Sequence, residues 1–210
     1  MSTAKAVRSQ RKPQARSAAT RESILDAALE CLVERGYART ATADVAERAG
    51  VSRGAQLHHF PTRDGLLAAT VEHLAKRRLA ELRLTLEGRA VDGDEIDAAI
   101  DFIWSAYSDS TAYAGLELVI AARTDEDLLR NLRPVAERLD ESLQLAGRES
   151  APHPRDRERL KAFRNLVIVA IQGLAVMRIV KDDEAYIEGV LRLLKDISRE
   201  ILVRGALDKE

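Results

Sequence analysis

Side chains that could bind a nucleic acid are concentrated in residues 52–63 of this chain of 210 residues. The Arg53 guanidinium could bind guanine or a phosphate, and the Gln56 carboxamide could bind adenine, since both groups match the hydrogen-bonding edges of those bases. A contact from Gln56 to a phosphate or to water explains its presence equally well. Gly54 and Ala55 have little side chain, so a helix that contains them can approach a groove closely.

The other reactive side chains favour neither catalysis nor a metal site. His58 and His59 are consecutive, so on a helix they point about 100° apart and cannot easily chelate one ion. Cys31 is the single cysteine, which excludes an intrachain disulfide. No convincing serine–histidine–aspartate arrangement, glycine-rich phosphate loop or carboxylate pair occurs. We expect no enzymatic activity, no metal and no cofactor.

Charge is distributed unevenly along the chain. Residues 1–63 contain 11 basic and 6 acidic residues, a net charge of +5, whereas the rest of the chain has a net charge of −6. This asymmetry favours an N-terminal part that meets a polyanion, although random scatter of surface charge would give a similar balance. The longest uncharged run, Asn165 to Met177, has 13 residues, fewer than the ~20 that span a bilayer. We expect a cytoplasmic protein with no membrane association.

The spacing of apolar residues predicts an all-α chain of about nine helices, because intervals of three and four recur and no stretch alternates. Residues 1–19 are basic and show no periodicity, which predicts a flexible arm. The predicted helices cover residues 20–36, 42–50, 52–60, 62–88, 94–108, 111–123, 125–145, 155–180 and 183–203. The two prolines of the stretch from Gly147 to Pro154 predict a loop.

Two short helices between Gly36 and Phe60 are separated by a glycine-containing turn, which is the spacing of a helix-turn-helix motif. Gly50 can adopt the positive φ of a sharp turn, Val51 can pack between the helices, and Ser52 can cap the second helix. That second helix would enter a major groove with its N-terminal residues leading. The spacing alone fits a plain connector in a helical bundle equally well.

Three stretches narrow this choice: Thr20–Leu29 with Glu34–Tyr37, Thr40–Gly54, and His58–Arg63 with Leu66 and Leu67. Together they resemble the start of the TetR family of bacterial transcriptional regulators. Cys31 stands where the family places an apolar side chain, and the resemblance therefore implies that it is a small buried hydrophobe. The remaining two-thirds of the chain resembles the family in helical layout only. The resemblance implies an N-terminal three-helix helix-turn-helix head, residues 20–64, followed by a larger helical ligand-binding and dimerisation domain, residues 65–210.

The resemblance and the side-chain chemistry together assign roles in DNA binding. One departure concerns Leu57, which stands where the family commonly has a tyrosine that contacts the DNA backbone, because a leucine cannot donate a hydrogen bond to phosphate. The basic arm could lie in an adjacent minor groove or be an idle tail. The residues expected at the DNA are Thr42, Ser52, Arg53, Gly54, Ala55, Gln56, His58 and Arg63.

In the family, the helices that follow the head enclose a small-molecule pocket. Large side chains are few in this chain, and tryptophan and tyrosine combine apolar area with one polar group, which suits a pocket lining. Ordinary core packing would explain the same residues. The expected lining residues are Phe102, Trp104, Tyr107, Tyr113, Phe163 and Met177.

The run from Leu166 to Ile171 is six consecutive apolar residues, which cover the whole circumference of a helix, so more than one face must be buried. Pairing of the last two helices with those of a second copy would form a four-helix bundle, as the family is expected to dimerise. A central helix of a monomer would show the same pattern. The expected dimer interface consists of Leu166, Ala170, Gly173, Leu174, Met177, Val190, Leu194 and Ile197.

The sequence therefore predicts a homodimeric transcriptional regulator that binds a pseudo-palindromic double-stranded DNA operator. A repressor that an unidentified small molecule releases is the preferred interpretation. Two alternatives remain: a ligand-independent DNA-binding dimer controlled by a protein partner, and a helical binding module whose head no longer binds DNA.

Overall fold

A computed structural model describes residues 3–86, 93–147 and 154–204 of the chain. Within those ranges there are nine α-helices and no strand, which confirms the all-α prediction. The predicted loop between Gly147 and Pro154 falls mostly outside the described residues. The helices are α1 (Thr3–Arg39), α2 (Thr42–Arg48), α3 (Arg53–His59), α4 (Arg63–Leu86), α5 (Gly93–Tyr107), α6 (Ser110–Ala121), α7 (Glu126–Gly147), α8 (Pro154–Val180) and α9 (Glu184–Arg199), followed by a π-helical turn, Glu200–Arg204.

The N-terminal end differs from the prediction of a flexible arm over residues 1–19, because α1 begins at Thr3. The Thr20 hydroxyl does not cap a helix there but donates a hydrogen bond to the Arg16 carbonyl oxygen, 2.9 Å away. Once the residues after Thr20 are helical, each preceding residue extends the helix without a new nucleation step, and alanine and arginine are good helix formers. The segment is therefore helical, and its flexibility and its contact with DNA stay predictions.

Short polar side chains begin several helices where the sequence predicts caps. The Ser52 hydroxyl accepts a hydrogen bond from the amide three residues later at 3.2 Å, and the Thr62 hydroxyl accepts one in the same way at 3.1 Å. The Asp183 carboxylate does the same at 3.0 Å for the start of α9. Each cap satisfies an amide that has no partner within its helix, a contribution of about 1 kcal/mol.

The chain packs as two compact units. The first consists of Met1–Leu74 and Tyr113–Glu137, and the second of Ala75–Ala112 and Arg138–Glu210. The head therefore packs together with α6 and the beginning of α7, whereas the sequence divides the chain after residue 64. The division of function at that residue stays a prediction, because compact packing does not identify which helices bind a ligand.

The core of the first unit lies between α1, α2 and the beginning of α4. Cys31 is buried in it, as predicted, and burial raises the pKa of its thiol. A buried leucine or isoleucine side chain contributes about 1.5–3 kcal/mol relative to an exposed one. The cluster is formed by Ile24, Leu25, Ala27, Ala28, Cys31, Val45, Phe60 and Leu66.

The core of the second unit lies between α5, α8 and α9. One face of each helix supplies it, at the spacings of three and four that the sequence shows. An ion pair closes one side of this core, since the Arg199 guanidinium donates to both oxygens of the Asp97 carboxylate at 2.9 Å. The cluster is formed by Ile96, Ile100, Val167, Ile171, Leu174, Ile187 and Leu191.

Candidate nucleic-acid interface

The turn between α2 and α3 has the predicted construction. Gly50 has a φ of +65°, in the left-handed region that favours glycine. The Val51 amide donates to the Ala46 carbonyl oxygen at 3.0 Å, and Val51 packs against the core of the first unit. Ser52 then caps α3, so that the helix starts at a defined point and angle. The helix-turn-helix geometry is confirmed.

Four residues form what we call the exposed face of α3: Arg53, Gly54, Leu57 and His58. They share one side of the helix because positions four apart stack above one another. Leu57 is 41% exposed, so its side chain is not used by the core of the first unit. This face combines a cation, a glycine, a leucine and an imidazole, and the core of the first unit lies on the opposite side.

Gln56 contradicts the prediction that it reads a base. The side chain is fully buried, and its Nε2 atom donates a hydrogen bond to the Phe60 carbonyl oxygen at 3.1 Å. Its Oε1 atom is also buried and has no hydrogen-bond partner within the described part of the chain. Position 56 lies one turn before the buried Phe60 on the inward side of α3. The carboxamide therefore holds the end of the helix instead of facing a groove.

Arg63 also contradicts its predicted role as a phosphate contact. Its Nε atom donates to the Thr40 carbonyl oxygen at 2.9 Å, and Nη2 donates to the Tyr37 carbonyl oxygen. The guanidinium lies over the Tyr37 ring, 4.3 Å from its centroid. Five donors in a planar group suit this task, because the carbonyl oxygens at the end of α1 otherwise lack partners. Arg63 joins α1 to α4.

Gly54 and Gly50 differ in what the fold requires of them. A Cβ atom at Gly54 would meet no atom closer than the Ser52 hydroxyl at 4.0 Å, and its φ is not positive. Glycine inside a helix costs about 0.5–1 kcal/mol relative to alanine. The protein's own packing therefore does not explain Gly54, whereas the left-handed φ explains Gly50. The missing side chain leaves room for another molecule to approach the helix backbone on this face.

The other residues expected at the DNA are placed without contradiction, and their contacts stay predictions. Ser52 and His58 are exposed, and Ala55 is half-buried. Thr42 is the first residue of α2 and is half-buried; the preceding residue gives that helix no side-chain cap. Among the residues that the structure describes, no group of three or more His, Cys, Asp or Glu side chains could hold a metal ion.

A polar connection that sequence reasoning missed ties the end of α1 to α6 and α7. The Tyr37 amide donates to Glu117 Oε1 at 2.8 Å, and the Tyr37 hydroxyl donates to Asp125 Oδ2 at 2.7 Å. Gly36 has a φ of +74°, and a Cβ atom there would lie 2.9 Å from Glu117 Oε1. Glu117 and Asp125 are 80 and 88 residues away from Tyr37, so no local pattern could indicate the contact.

These contacts shift two pKa values in opposite directions. Burial and the neighbouring Asp125 carboxylate raise the pKa of the Tyr37 hydroxyl, because both disfavour the phenolate. Hydrogen bonds from the Leu128 amide and from Tyr37 lower the pKa of Asp125, because they stabilise the carboxylate. The pair is therefore held as a neutral donor and a charged acceptor at neutral pH.

The residues expected to line a pocket do not all belong to one unit. Trp104, Tyr107 and Phe163 pack against the core of the second unit, whereas Tyr113 belongs to the first unit. Met177 is 44% exposed on α8, and its place in a pocket lining stays a prediction. Phe102 is half-buried on α5, and its place in a pocket stays a prediction.

One polar pair does lie among these large side chains. Tyr107 shares a hydrogen bond with Gln172, and burial raises the pKa of the Tyr107 hydroxyl above its usual value. Trp104 and Phe163 pack against the same apolar cluster. A tyrosine and a carboxamide among apolar and aromatic side chains could orient the polar end of a small molecule.

The expected dimer-interface residues divide into three groups. Leu166 and Ile197 are exposed, at 60% and 42%, as is Met177, and no atom lies within 4 Å of a Cβ built at Gly173. Ala170 is half-buried, and Val190 and Leu194 are half-buried against the core of the second unit. Leu174 is only 4% exposed, so its predicted place in the interface is wrong. It faces its own core one turn after Ala170.

Several exposed apolar residues of α8, α9 and the π-helical turn that follows α9 were missed. Six consecutive apolar residues show that more than one face is covered, but they do not show which residues lie on the outer face. The missed residues include Val169, Val176, Val180, Leu193 and Ile201.

An open groove of about 370 Å³ lies along α1 and the end of α2, but its lining does not suit an anion. Glu22, Asp26 and Glu30 contribute carboxylates to it. Arg48 also lines the groove, and its charge is paired with Glu34 and Glu30. The acidic lining would repel phosphates, so this groove is not part of the candidate interface.

Comparisons with known proteins match the same part of the chain. A family model described as bacterial regulatory proteins, tetR family, matches residues 24–70. The chain is 33% identical over 188 residues to the HTH-type transcriptional regulator CymR of Pseudomonas putida, which covers 88% of this chain and 92% of that protein. This chain belongs to the TetR family. It is a DNA-binding transcriptional regulator, and its relatives are regulators, not enzymes.

Two further comparisons extend this TetR-family assignment along the chain. An uncharacterised HTH-type transcriptional regulator of Mycobacterium tuberculosis is 32% identical over 173 residues, which covers 80% of this chain and 87% of that protein. The crystal structure of a transcriptional regulator from Rhodococcus sp. has a TM-score of 0.62 and 23% identity, and the match covers 88% of this chain and 96% of that chain. The TetR-family fold therefore extends over most of the chain.

Proposed function

We propose that this protein is a homodimeric repressor that binds a pseudo-palindromic operator through α3 and leaves it when a small molecule binds. The observation that carries the proposal is the division of α3 into two faces. Its inward face is anchored by the buried Gln56 and Phe60, and its exposed face presents Arg53, Gly54, Leu57 and His58. A DNA-reading helix needs this division, because its outer side chains must be free to meet base edges.

The proposed DNA contacts follow from exposure and chemistry. Arg53 would bind guanine O6 and N7, and Gly54 and Ala55 would let the helix backbone approach. The hydroxyls of Ser52 and Thr42 would bind phosphate oxygens that fix the orientation of the head, as would the His58 imidazole. Gln56 and Arg63 are left out of this set, since both are used within the fold.

A second copy of the chain would cover the outer face of α8. Leu166, Val169, Gly173, Val176 and Val180 follow one another at spacings of three and four, and their side chains are exposed. Val169 is 64% and Val180 79% exposed, more apolar area than a monomeric surface helix normally presents. The exposed residues Leu193 and Ile197 of α9, with Ile201 of the π-helical turn, would complete a four-helix bundle.

The same apolar character gives α8 one further property. Within the described residues, the stretch Glu158–Val180 is the one helix segment that is long and apolar enough to cross a membrane by length and composition. Only 22% of its most apolar window is buried inside the chain, which leaves a face for a partner. We assign that face to the dimer and the protein to the cytoplasm, where its operator lies.

The small molecule would bind in the second unit beside Tyr107 and Gln172, with Trp104 and Phe163 supplying apolar contacts. Its release of the operator would be a population shift toward a conformer with lower affinity for DNA. A hundredfold loss of operator affinity requires about 2.7 kcal/mol of difference in ligand binding between the two conformers. The connection of Tyr37 to Glu117 and Asp125 would make the head move together with α6 and α7.

Selection of bound sequences from a random pool of DNA duplexes tests the proposal. We expect one pseudo-palindromic sequence to be enriched, and we call it the selected duplex. Affinity for it should fall steeply with salt, because several phosphates are contacted. Arg53→Ala should weaken binding at least about tenfold. Arg130→Ala removes a side chain that is 73% exposed on α7 and is the matched control; it should leave binding unchanged.

Two results would contradict the proposal. Failure to enrich any sequence would remove the DNA-binding role of α3. Equal losses in Arg53→Ala and Arg130→Ala would show that net charge, not the exposed face of α3, determines binding. Screening small molecules for release of the selected duplex then tests the ligand, and Tyr107→Phe should weaken the response to any compound that it identifies.

A further inference from the structure

Leu57 lies at the centre of the exposed face of α3, and nothing in the fold of the first unit explains it. Its side chain is 41% exposed, although its neighbours in sequence include the fully buried Gln56. Arg53 lies four residues earlier on the same face, and Gly54 lies three residues earlier. An apolar side chain therefore stands beside the cation that is the strongest candidate for base recognition.

We infer that Leu57 contacts the C5 methyl group of a thymine in each half-site, and so determines part of the operator sequence. The inference rests on the proposed function, since it requires that α3 lies in the major groove. It assigns to the recognition helix an apolar contact with one base in addition to the hydrogen bonds of Arg53.

The chemistry of the groove leaves one good partner for a leucine. Phosphates and the donor and acceptor edges of bases are polar, and a leucine side chain would displace water from them without replacing its hydrogen bonds. The thymine methyl group is the apolar feature that the major groove offers. Burying it against Leu57 removes apolar surface from water on both sides.

The spacing along α3 places this thymine relative to the guanine of Arg53. Four residues of an α-helix advance about 6 Å, and successive base pairs are about 3.4 Å apart along the duplex. The thymine is therefore expected within about two base pairs of that guanine. Both lie on the same side of the groove, because Arg53 and Leu57 share one face of the helix.

Gly54 accounts for the close approach that this contact requires. A leucine side chain is short, so its methyl groups reach a base only if the helix backbone lies near the floor of the groove. Gly54 stands one turn before Leu57, and a Cβ atom there would point into space that the protein leaves empty. Close approach of α3 to the floor of the groove would thus account for both Gly54 and the exposed Leu57.

Replacement of thymine by 2′-deoxyuridine in the selected duplex tests the inference, because it removes only the C5 methyl group. Each thymine is replaced in turn at both symmetric positions. For the unmodified protein we expect the replacement at one symmetric pair of thymines to weaken binding. The expected loss is roughly fourfold for each half-site, or about sixteenfold for the pair. For Leu57→Ala we expect no sensitivity at that pair, and a similar loss of affinity for the thymine-containing duplex.

Leu84→Ala is the matched control, because it removes a leucine that is 71% exposed on α4. It should retain the full sensitivity to deoxyuridine. If Leu57→Ala does not fold, the deoxyuridine series on the unmodified protein still tests the inference. Replacement of each guanine by 7-deazaguanine locates the guanine that Arg53 binds. The sensitive thymine must then lie within two base pairs of that guanine.

The outcomes distinguish a failure of the Leu57 contact from a failure of the proposed function. A duplex that is bound specifically but has no deoxyuridine-sensitive thymine near that guanine overturns the role of Leu57 and leaves the proposed function intact. The same holds if Leu57→Ala keeps the sensitivity. A pool from which no duplex is enriched overturns both.

Discussion

Helix α3 of the first unit and helix α8 of the second unit expose opposite kinds of surface. In the first unit, α3 turns Arg53, Gly54 and His58 outward, with a single leucine among them. In the second unit, α8 turns a continuous row of aliphatic side chains outward, of which Val180 is 79% exposed. A polar groove suits the first surface, and an identical apolar surface suits the second.

The two units also treat buried polar groups differently. In the first unit, the Gln56 carboxamide and the Arg63 guanidinium satisfy backbone carbonyl oxygens inside the fold. In the second unit, the ion pair of Arg199 and Asp97 lies at the margin of an apolar core. A short helix such as α3 makes few backbone hydrogen bonds of its own, so side chains must hold its ends, whereas long helices hold themselves.

The largest expected effect is on dimerisation through the outer face of α8 in the second unit. Val169→Glu places a charge on the outer face of α8, and twofold symmetry places a second charge nearby. Because each would be buried without a partner, the dissociation constant of the dimer should rise at least about a thousandfold. Sedimentation at micromolar concentration measures it. Leu84→Glu, which adds the same charge outside this face, should remain dimeric, and a monomeric unmodified protein would contradict the assignment.

The next effect concerns the inside of the head. Arg63→Ala removes the donors to the Thr40 and Tyr37 carbonyl oxygens, which remain partly buried, so the free energy of unfolding should fall by about 2–3 kcal/mol. Urea unfolding measures the loss, and Arg130→Ala should change it by less than about 0.5 kcal/mol. If stability is unchanged and the salt dependence of DNA binding falls by about one phosphate contact, Arg63 binds phosphate after all.

A smaller effect separates stability from binding on the exposed face of α3. Gly54→Ala should raise the free energy of unfolding by about 0.5–1 kcal/mol, since the helix gains a better former and no clash. It should weaken binding of the selected duplex about tenfold, because the added methyl group holds the backbone away from the groove. Gly50→Ala is the contrasting variant: its positive φ makes alanine destabilising. A Gly54→Ala protein that binds as tightly as the original would remove the close approach.

The smallest effect is on pH dependence, where Asp97 of the second unit and Asp64 of the first unit have opposite signs. The Arg199 guanidinium lowers the pKa of Asp97, so the stabilisation from this carboxylate is present at neutral pH and is lost as the pH falls below about 4. Burial and the nearby Asp125 carboxylate raise the pKa of Asp64, so the fold loses stability as the pH rises above about 4 and Asp64 ionises.

Thermal unfolding between pH 3 and pH 7 measures both signs. Asp97→Asn should lower the unfolding temperature at pH 7 and leave it unchanged at pH 3. Asp64→Asn should raise it slightly at pH 7. Equal responses of the two variants at pH 7 would show that the local partners of these carboxylates do not control their contributions.

Local sequence signals predicted the elements of the fold well. Ser52, Thr62 and Asp183 stand at the starts of helices, and glycines mark the turn before α3 and the kink in α1, because caps and positive φ are properties of single residues. The start of α1 was missed because extension of an existing helix needs no new signal.

The sequence did not predict the orientation of individual side chains in short helices. On a helix of seven residues, a shift of one position separates an outward side chain from a buried one. Gln56, which was expected at the DNA, is buried for this reason, and its neighbour Leu57 is exposed. Arg63 was misassigned because its partners, two backbone carbonyl oxygens, leave no trace in residue types. The contacts of Tyr37 with Glu117 and Asp125 depend on tertiary packing across more than 80 residues.

The separation of the two faces of α3 has a consequence for how such a regulator can change. The exposed face takes little part in the core, so under the proposed function a substitution at Arg53, Leu57 or His58 would alter the DNA sequence that is bound and leave folding nearly unchanged. Successive replacements there would lead from one target sequence to another through proteins that all remain folded. Gln56 is one position away but is buried in the fold, so a substitution there would not be tolerated in the same way.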